Sequence, residues 1–121
     1  MHQVIISLST NRYQKVNLSR ARRCLEEILS NVRFTSEQWT EPVNTSRRDT
    51  YLNQLVSGST PLDEESLNQQ LKQIETGFGR TEAKRRLGIV PIDLDILQFD
   101  EERRHQRDWE RRYVQQLIIE L

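Results

Sequence analysis

Ile92-Asp93-Leu94-Asp95-Ile96-Leu97 is the stretch that decides how this chain reads. Side chains along an extended segment alternate between two faces, so Ile92, Leu94 and Ile96 share one face and Asp93 and Asp95 share the other. The apolar face belongs to a core. Continued to Phe99, this is the clearest strand in the sequence. Two carboxylates so placed lie roughly 7 Å apart at Cα, a spacing that brackets divalent ions about 4 Å apart. Magnesium suits such a pair, because it accepts one or two carboxylates and completes its shell with water and phosphate oxygens. Alternating aspartates also solvate an edge strand and block edge pairing. Spacing alone leaves both roles open.

Outward from that strand, the apolar pattern sets the remaining elements. Gln3 to Leu8 (QVIISL) is β-branched and apolar and ends at Ser9-Thr10-Asn11-Arg12, a strand followed by a turn. Leu18, Ala21, Cys24, Leu25, Ile28 and Leu29 recur at spacings of three and four from Val16, which predicts an amphipathic helix ending near Asn31. Val32 to Trp39 is expected as a strand, Thr40 to Thr50 as a loop, and Tyr51 to Val56 as a strand closed by Ser57-Gly58-Ser59. Pro61-Leu62-Asp63-Glu64-Glu65 begins a helix with acidic residues in its first turn, where the dipole favours them. Leu67, Leu71 and Ile74 form its stripe, and Gly77 to Gly79 stops it. A basic loop, Thr81 to Leu87, leads to the acidic strand. Val114, Leu117, Ile118 and Leu121 predict a terminal helix from Asp108. The order βαββαβ followed by a C-terminal helix fits an α+β, ferredoxin-like antiparallel sheet with helices on one face.

The chain has 121 residues, enough for one modest core, and is expected to form a single domain over 1–121. Eighteen basic and eighteen acidic side chains cancel, which argues against a dedicated nucleic-acid binder. Cys24 is the only cysteine, so no disulfide framework is expected and it reads as a packed thiol. No apolar run reaches membrane-spanning length, and Met1 to Leu8 is too short and uncharged for a signal peptide. The expectation is a cytoplasmic domain of undetermined oligomeric state.

Several ordered strings carry a resemblance. Pro91 to Phe99 (PIDLDILQF) follows R-x-x-D-L-D-I-x-x-[FY] from Asp93 onward, and Ile74-Glu75 with Gly79-Arg80 follows I-E-x-x-x-G-R. Thr40-Glu41-Pro42-Val43 and Tyr51-Leu52-Asn53 follow T-x-P and Y-L-N at the same interval. Leu8-Ser9-Thr10-Asn11 is near an L-G-S-N turn, and His105, Arg111 and Tyr113 follow H-x(5)-R-x-F. Taken in order, these cover nearly the whole chain, which resembles the 6-hydroxymethyl-dihydropterin pyrophosphokinases of folate biosynthesis.

The resemblance implies a ferredoxin-like fold and transfer of pyrophosphate from ATP to 6-hydroxymethyl-7,8-dihydropterin, with two magnesium ions. Carried over by position, Asp93 and Asp95 would hold the metal and Arg80 would act from a mobile catalytic loop. Thr40, Val43, Tyr51, Asn53 and Tyr113 would bind the pterin, with the two tyrosines sandwiching the ring and the Asn53 carboxamide reading its edge. Glu75, His105 and Arg111 would meet ATP. Without the family, Tyr51 and Tyr113 read as core or rim aromatics, Asn53 as an edge cap, and the Glu101 to Arg107 run as a solvated charged face.

The departures concentrate on the ATP side. Val90 stands where the basic-loop arginine is expected, Glu82 where a second arginine is expected, Leu87 for an aromatic, Gly88-Ile89 for G-P, and Ser9 for the opening glycine. The stretch between Asp95 and His105 is shorter by about a hairpin, and the C-terminus stops early. Losing cations that stabilise a phosphoryl transition state costs orders of magnitude in rate. The alternative is therefore a catalytically impaired relative of the same fold that binds pterin or metal only.

Overall fold

The computed structural model describes residues 1–41 and 50–121. Among them six strands form one antiparallel sheet: β1 (His2–Thr10), β2 (Ser30–Phe34), β3 (Gln38–Thr40), β4 (Tyr51–Thr60), β5 (Asp93–Phe99) and β6 (Glu102–Arg103). The strand order is β2-β4-β1-β5-β6, with β3 continuing beside β4. Counting β2 and β3 as one interrupted strand, this is the expected ferredoxin-like arrangement. The acidic strand lies against the central β1.

Two helices, α1 (Gln14–Ile28) and α2 (Glu64–Gly77), cover one face. Leu18, Ala21 and Leu25 of α1 and Leu67 and Leu71 of α2 meet Val4, Ile6, Leu8, Leu52, Val56, Leu94 and Ile96 in the main core. Fully burying a leucine contributes about 1.5–3 kcal/mol, so this layer is what aligns the strands. Val16 falls off the stripe and is exposed. The first helix stops at Ile28 rather than at Asn31, which instead takes a positive φ of 53° within β2, where the register with β4 shifts between Ser30 and Arg33. Asp63 caps α2, its carboxylate accepting from Ser66 N at 2.8 Å.

The C-terminal segment takes the opposite face. Trp109 on α4 (Gln106–Trp109), with Tyr113, Val114 and Leu117 on α5 (Arg112–Ile118), packs on Leu55 and Leu97. The single terminal helix expected from Asp108 is thus two pieces, broken at Glu110 and Arg111. The sheet is sandwiched, and the helices are not confined to one face.

Other differences have local causes. The strand expected over Val32–Trp39 is interrupted: Phe34 pairs with Val56 but Gln38 pairs with Asn53, so four steps oppose three. Thr35 fills this bulge, its Oγ1 accepting from Leu55 N at 3.0 Å and its carbonyl accepting from Gln54 Nε2 at 2.6 Å. Strand β4 does not close at Ser57-Gly58-Ser59 but runs through it. At Gly58 a Cβ would sit 3.2 Å from Leu29 Cβ and from Ser30 O, so glycine there admits a close neighbour rather than a turn. The basic segment forms a short helix, α3 (Glu82–Arg86), capped by Thr81. Glu82, in its first turn, sits where the helix dipole favours an acid. In β5, Leu97 is an extra residue: Ile6 faces Ile96 while Ile5 faces Gln98. Asp93, Asp95 and Leu97 therefore share one face, and Phe99 crosses back to pack on the main core.

Candidate active site

The register of β1 builds the floor of the site. Ser9 lies opposite Asp93 and Ser7 opposite Asp95 on one side of β1, and Ser9 lies opposite Asn53 of β4 on the other. All five residues share the sheet face away from α1 and α2. The terminal helices cover only part of that face. The uncovered part is a cavity of about 210 Å³, walled by Tyr51 and Glu41 on one side and by Asp108, Arg111 and Tyr113 on the other.

Asp95 carries the largest electrostatic perturbation there. Burial, then the neighbouring charge of Asp93 and a hydrogen bond with it, push its carboxyl up to about 7. His105 Nε2 stands 4.0 Å from Asp95 Oδ1. Asp93 is held from behind: Arg80 Nη1 lies 2.8 Å from its Oδ1 and 3.0 Å from Glu75 Oε2. Glu75 is only 4% exposed. Burial raises its carboxyl, while the Leu94 N–H and the Arg80 charge pull it back. The Tyr113 phenol is raised by burial, which outweighs the nearby Arg111 charge. The Arg111 guanidinium stacks 4.6 Å from the Tyr113 ring centroid.

Asn53 is 1% exposed, and both amide hydrogens are engaged within the fold, one to Gln38 O at 3.0 Å and one to Thr40 Oγ1 at 2.8 Å. Its Oδ1 accepts from Ser9 Oγ at 2.7 Å and retains a second lone pair. Toward a ligand it is an acceptor, not the donor–acceptor pair its residue type suggested. Thr40 stands behind it as a support.

Six of the sequence-derived candidates converge on the cavity: Tyr51, Asn53, Asp93, Asp95, Arg111 and Tyr113. His105 flanks Asp95. Glu75 and Arg80 sit behind Asp93 and border a separate cleft of about 310 Å³ that also meets Lys72, Glu82 and Arg85. Val43 lies outside the described residues. Sequence reasoning passed over Ser7 and read Ser9 only as a replacement for the turn glycine, although their alternation with Ile6 and Leu8 was a signal for this face. It also passed over Asp108, which nothing in a charged stretch marked. Asn11 was missed in another way: its Nδ2 donates to Gly88 O and its Oδ1 accepts from Val90 N, both at 2.7 Å. The segment that should carry the basic loop is pinned to the first turn.

The donor set fits a hard divalent cation. Among the described residues no group of three His, Cys, Asp or Glu assembles as a metal cage. Two carboxylates sharing a partly buried face instead suit an ion that takes the rest of its shell from water and phosphate. The Asp95 carboxyl, raised by burial and then by the charge of Asp93, is one that a bound cation would help to ionise.

Comparison with known proteins agrees. The chain is 32% identical over 129 residues to a folate synthesis bifunctional protein of Arabidopsis thaliana, an alignment covering 98% of this chain and 27% of that one. A second Arabidopsis thaliana protein, whose name adds "mitochondrial", is 32% identical over 130 residues, covering 99% and 23%. A mitochondrial folate synthesis bifunctional protein of Pisum sativum is 30% identical over 129 residues, covering 98% and 25%. The chain thus spans about a quarter of the length of these curated relatives. No helix among the described residues is long and apolar enough to cross a membrane, and with mitochondrial names among the relatives the cytoplasmic expectation gains no support. The profile described as 7,8-dihydro-6-hydroxymethylpterin-pyrophosphokinase matches residues 5–121, and with the acidic strand and cavity in place the chain belongs to that family.

Proposed function

We propose that residues 1–121 act as one domain that transfers pyrophosphate from ATP to the hydroxymethyl group of 6-hydroxymethyl-7,8-dihydropterin, releasing AMP. The observation that carries this reading is that Asp93 and Asp95 open into the same cavity as Tyr51, Asn53, Arg111 and Tyr113. A planar heterocycle is held there between aromatic rings, each contributing about 1 kcal/mol beyond area burial. Asn53 Oδ1 receives one of its N–H groups. The pterin hydroxyl oxygen attacks the β-phosphorus and gives up its proton to solvent as the bond from that phosphorus to the α-phosphate oxygen breaks, and AMP leaves with that oxygen.

Asp93 and Asp95 would hold magnesium, two ions by the family resemblance, which when bound supplies charge neutralisation to the β- and γ-phosphates. The chain's own cations do the rest. Arg111 faces the cavity, and Lys72, Arg80 and Arg85 surround the cleft behind Asp93.

A second reading, binding without turnover, is favoured by one observation. Arg80 is committed to Glu75 and Asp93, and Glu82 sits in the same cleft where a cation is expected. Release of AMP from ATP, magnesium and the hydroxymethyl-dihydropterin tests the first reading. Heat on titrating pterin into the protein, with no AMP formed, would select the second. Neither heat nor AMP would reject both.

A further inference from the structure

Among the described residues, strand β5 has a strand partner along only part of its outer edge. β1 pairs with it from Asp93 to Phe99, whereas β6 reaches only Gln98 and Phe99. At its first residues the outer edge faces α2, and backbone groups there need partners, since an unmet buried N–H or C=O costs about as much as a lost hydrogen bond.

Two side chains supply them. Glu75 Oε2 accepts from Leu94 N at 2.7 Å, and Arg80 Nη1 donates to Ile92 O at 3.3 Å. The two also form an ion pair at 3.0 Å. A carboxylate on an N–H and a guanidinium on a C=O, two residues apart along one edge, reproduce the acceptor and donor of a neighbouring strand. The residue enclosed between those bonds is Asp93, and the same Arg80 nitrogen lies 2.8 Å from its Oδ1. Lys72 adds a longer contact to Glu75 at 3.4 Å.

Glu75 occupies the position on α2 where an apolar side chain is expected, one turn beyond Leu67 and Leu71 at successive intervals of four, and it is buried like them. A buried acid in a leucine stripe is expensive unless hydrogen-bonded. Its two shortest contacts, to Leu94 N and to Arg80, point at the entry to β5.

We infer that Glu75 and Arg80 form a surrogate edge strand that sets the backbone and carboxylate position of Asp93, so that Glu75 is a positioning residue of the two-aspartate site rather than a contact for nucleotide. This rests on the proposed function for its kinetic consequence but not for its structural one.

The test uses Glu75→Ala and Glu75→Gln in the full chain, reading Leu94 amide hydrogen exchange by NMR alongside kcat and the KM for ATP. Glu75→Ala is expected to speed Leu94 exchange at least about 10-fold and lower kcat by a similar factor, with the KM for ATP within about two-fold. Glu75→Gln keeps an acceptor for Leu94 N, so exchange should stay within about three-fold of the parent and kcat should recover most of its loss. A KM for ATP raised about 10-fold with unchanged Leu94 exchange would overturn the assignment and return Glu75 to the nucleotide. If Glu75→Ala does not fold, Glu75→Gln decides alone: Leu94 left as exposed as in an open edge also overturns it. If the parent chain makes no AMP, the kinetic reading fails, while the exchange comparison still judges the surrogate strand.

Discussion

The substitution Asp95→Asn is expected to make this protein more stable and inactive at once. The Asp95 carboxyl is raised from its ordinary 3.8 to about 7, first by burial and then by Asp93. A raised value means that the folded state favours the proton. Below about pH 4 folded and unfolded chains both carry it and Asp95 exacts no penalty. As pH climbs toward 7 the unfolded chain ionises freely and the folded one does not, so stability falls until the folded carboxyl also loses its proton. At about 1.4 kcal/mol per pH unit the upper bound is ~4 kcal/mol. The side chain is 22% exposed, so about 2 kcal/mol is the working expectation. A carboxamide in its place cannot ionise and keeps the shape. In urea denaturation Asp95→Asn should exceed the parent by about 2 kcal/mol at pH 8, roughly 5–10 °C in Tm for a chain of this size, and by about 1 kcal/mol or less at pH 4.5. Millimolar magnesium should narrow the pH 8 gap by stabilising the parent alone. A variant no more stable at pH 8, or an advantage that does not change with pH, would refute the reasoning. Failure to fold would show that the carboxylate is structural.

Two further outcomes follow from the phosphate side. Both backbone groups of Val90 are taken by Asn11, so Val90→Arg should leave the fold intact and, if missing positive charge limits the rate, raise kcat/KM for ATP about 10-fold or more; an unchanged value in steady-state assays would place the limitation elsewhere. Asn11→Ala removes two short side-chain bonds to the 88–90 segment, which should destabilise by about 1–3 kcal/mol and accelerate Val90 amide exchange; equal exchange in both proteins would show that the segment is held by other contacts.

Much of this protein was readable before folding because its signals are local. Alternation in Ile92 to Leu97 put the aspartates on one face and the aliphatics on the other, and any sheet that buries the second must present the first. Intervals of three and four in α1 and α2 likewise named their core stripes. Those patterns determined the element order, the sheet class and the acidic pair.

What they left undetermined depends on which elements meet. Whether α5 joined the other helices or crossed the sheet could not be read from its own stripe; the apolar surface of Leu55 and Leu97 on the far face decided it, and with it the cavity wall. The bulges at Thr35 and Leu97 are mismatches between two strands, invisible in either one alone. Asn53 looked like a two-sided reader of a heterocycle until Gln38 and Thr40 took its donors. The resemblance gave Glu75 a place at ATP and Arg80 one on a catalytic loop; that both also bond to the outer edge of β5 became visible only once that edge lay beside α2. Side-chain type and spacing dictate which face a residue takes; the unmet hydrogen bonds and charges of its tertiary neighbours dictate what it does there.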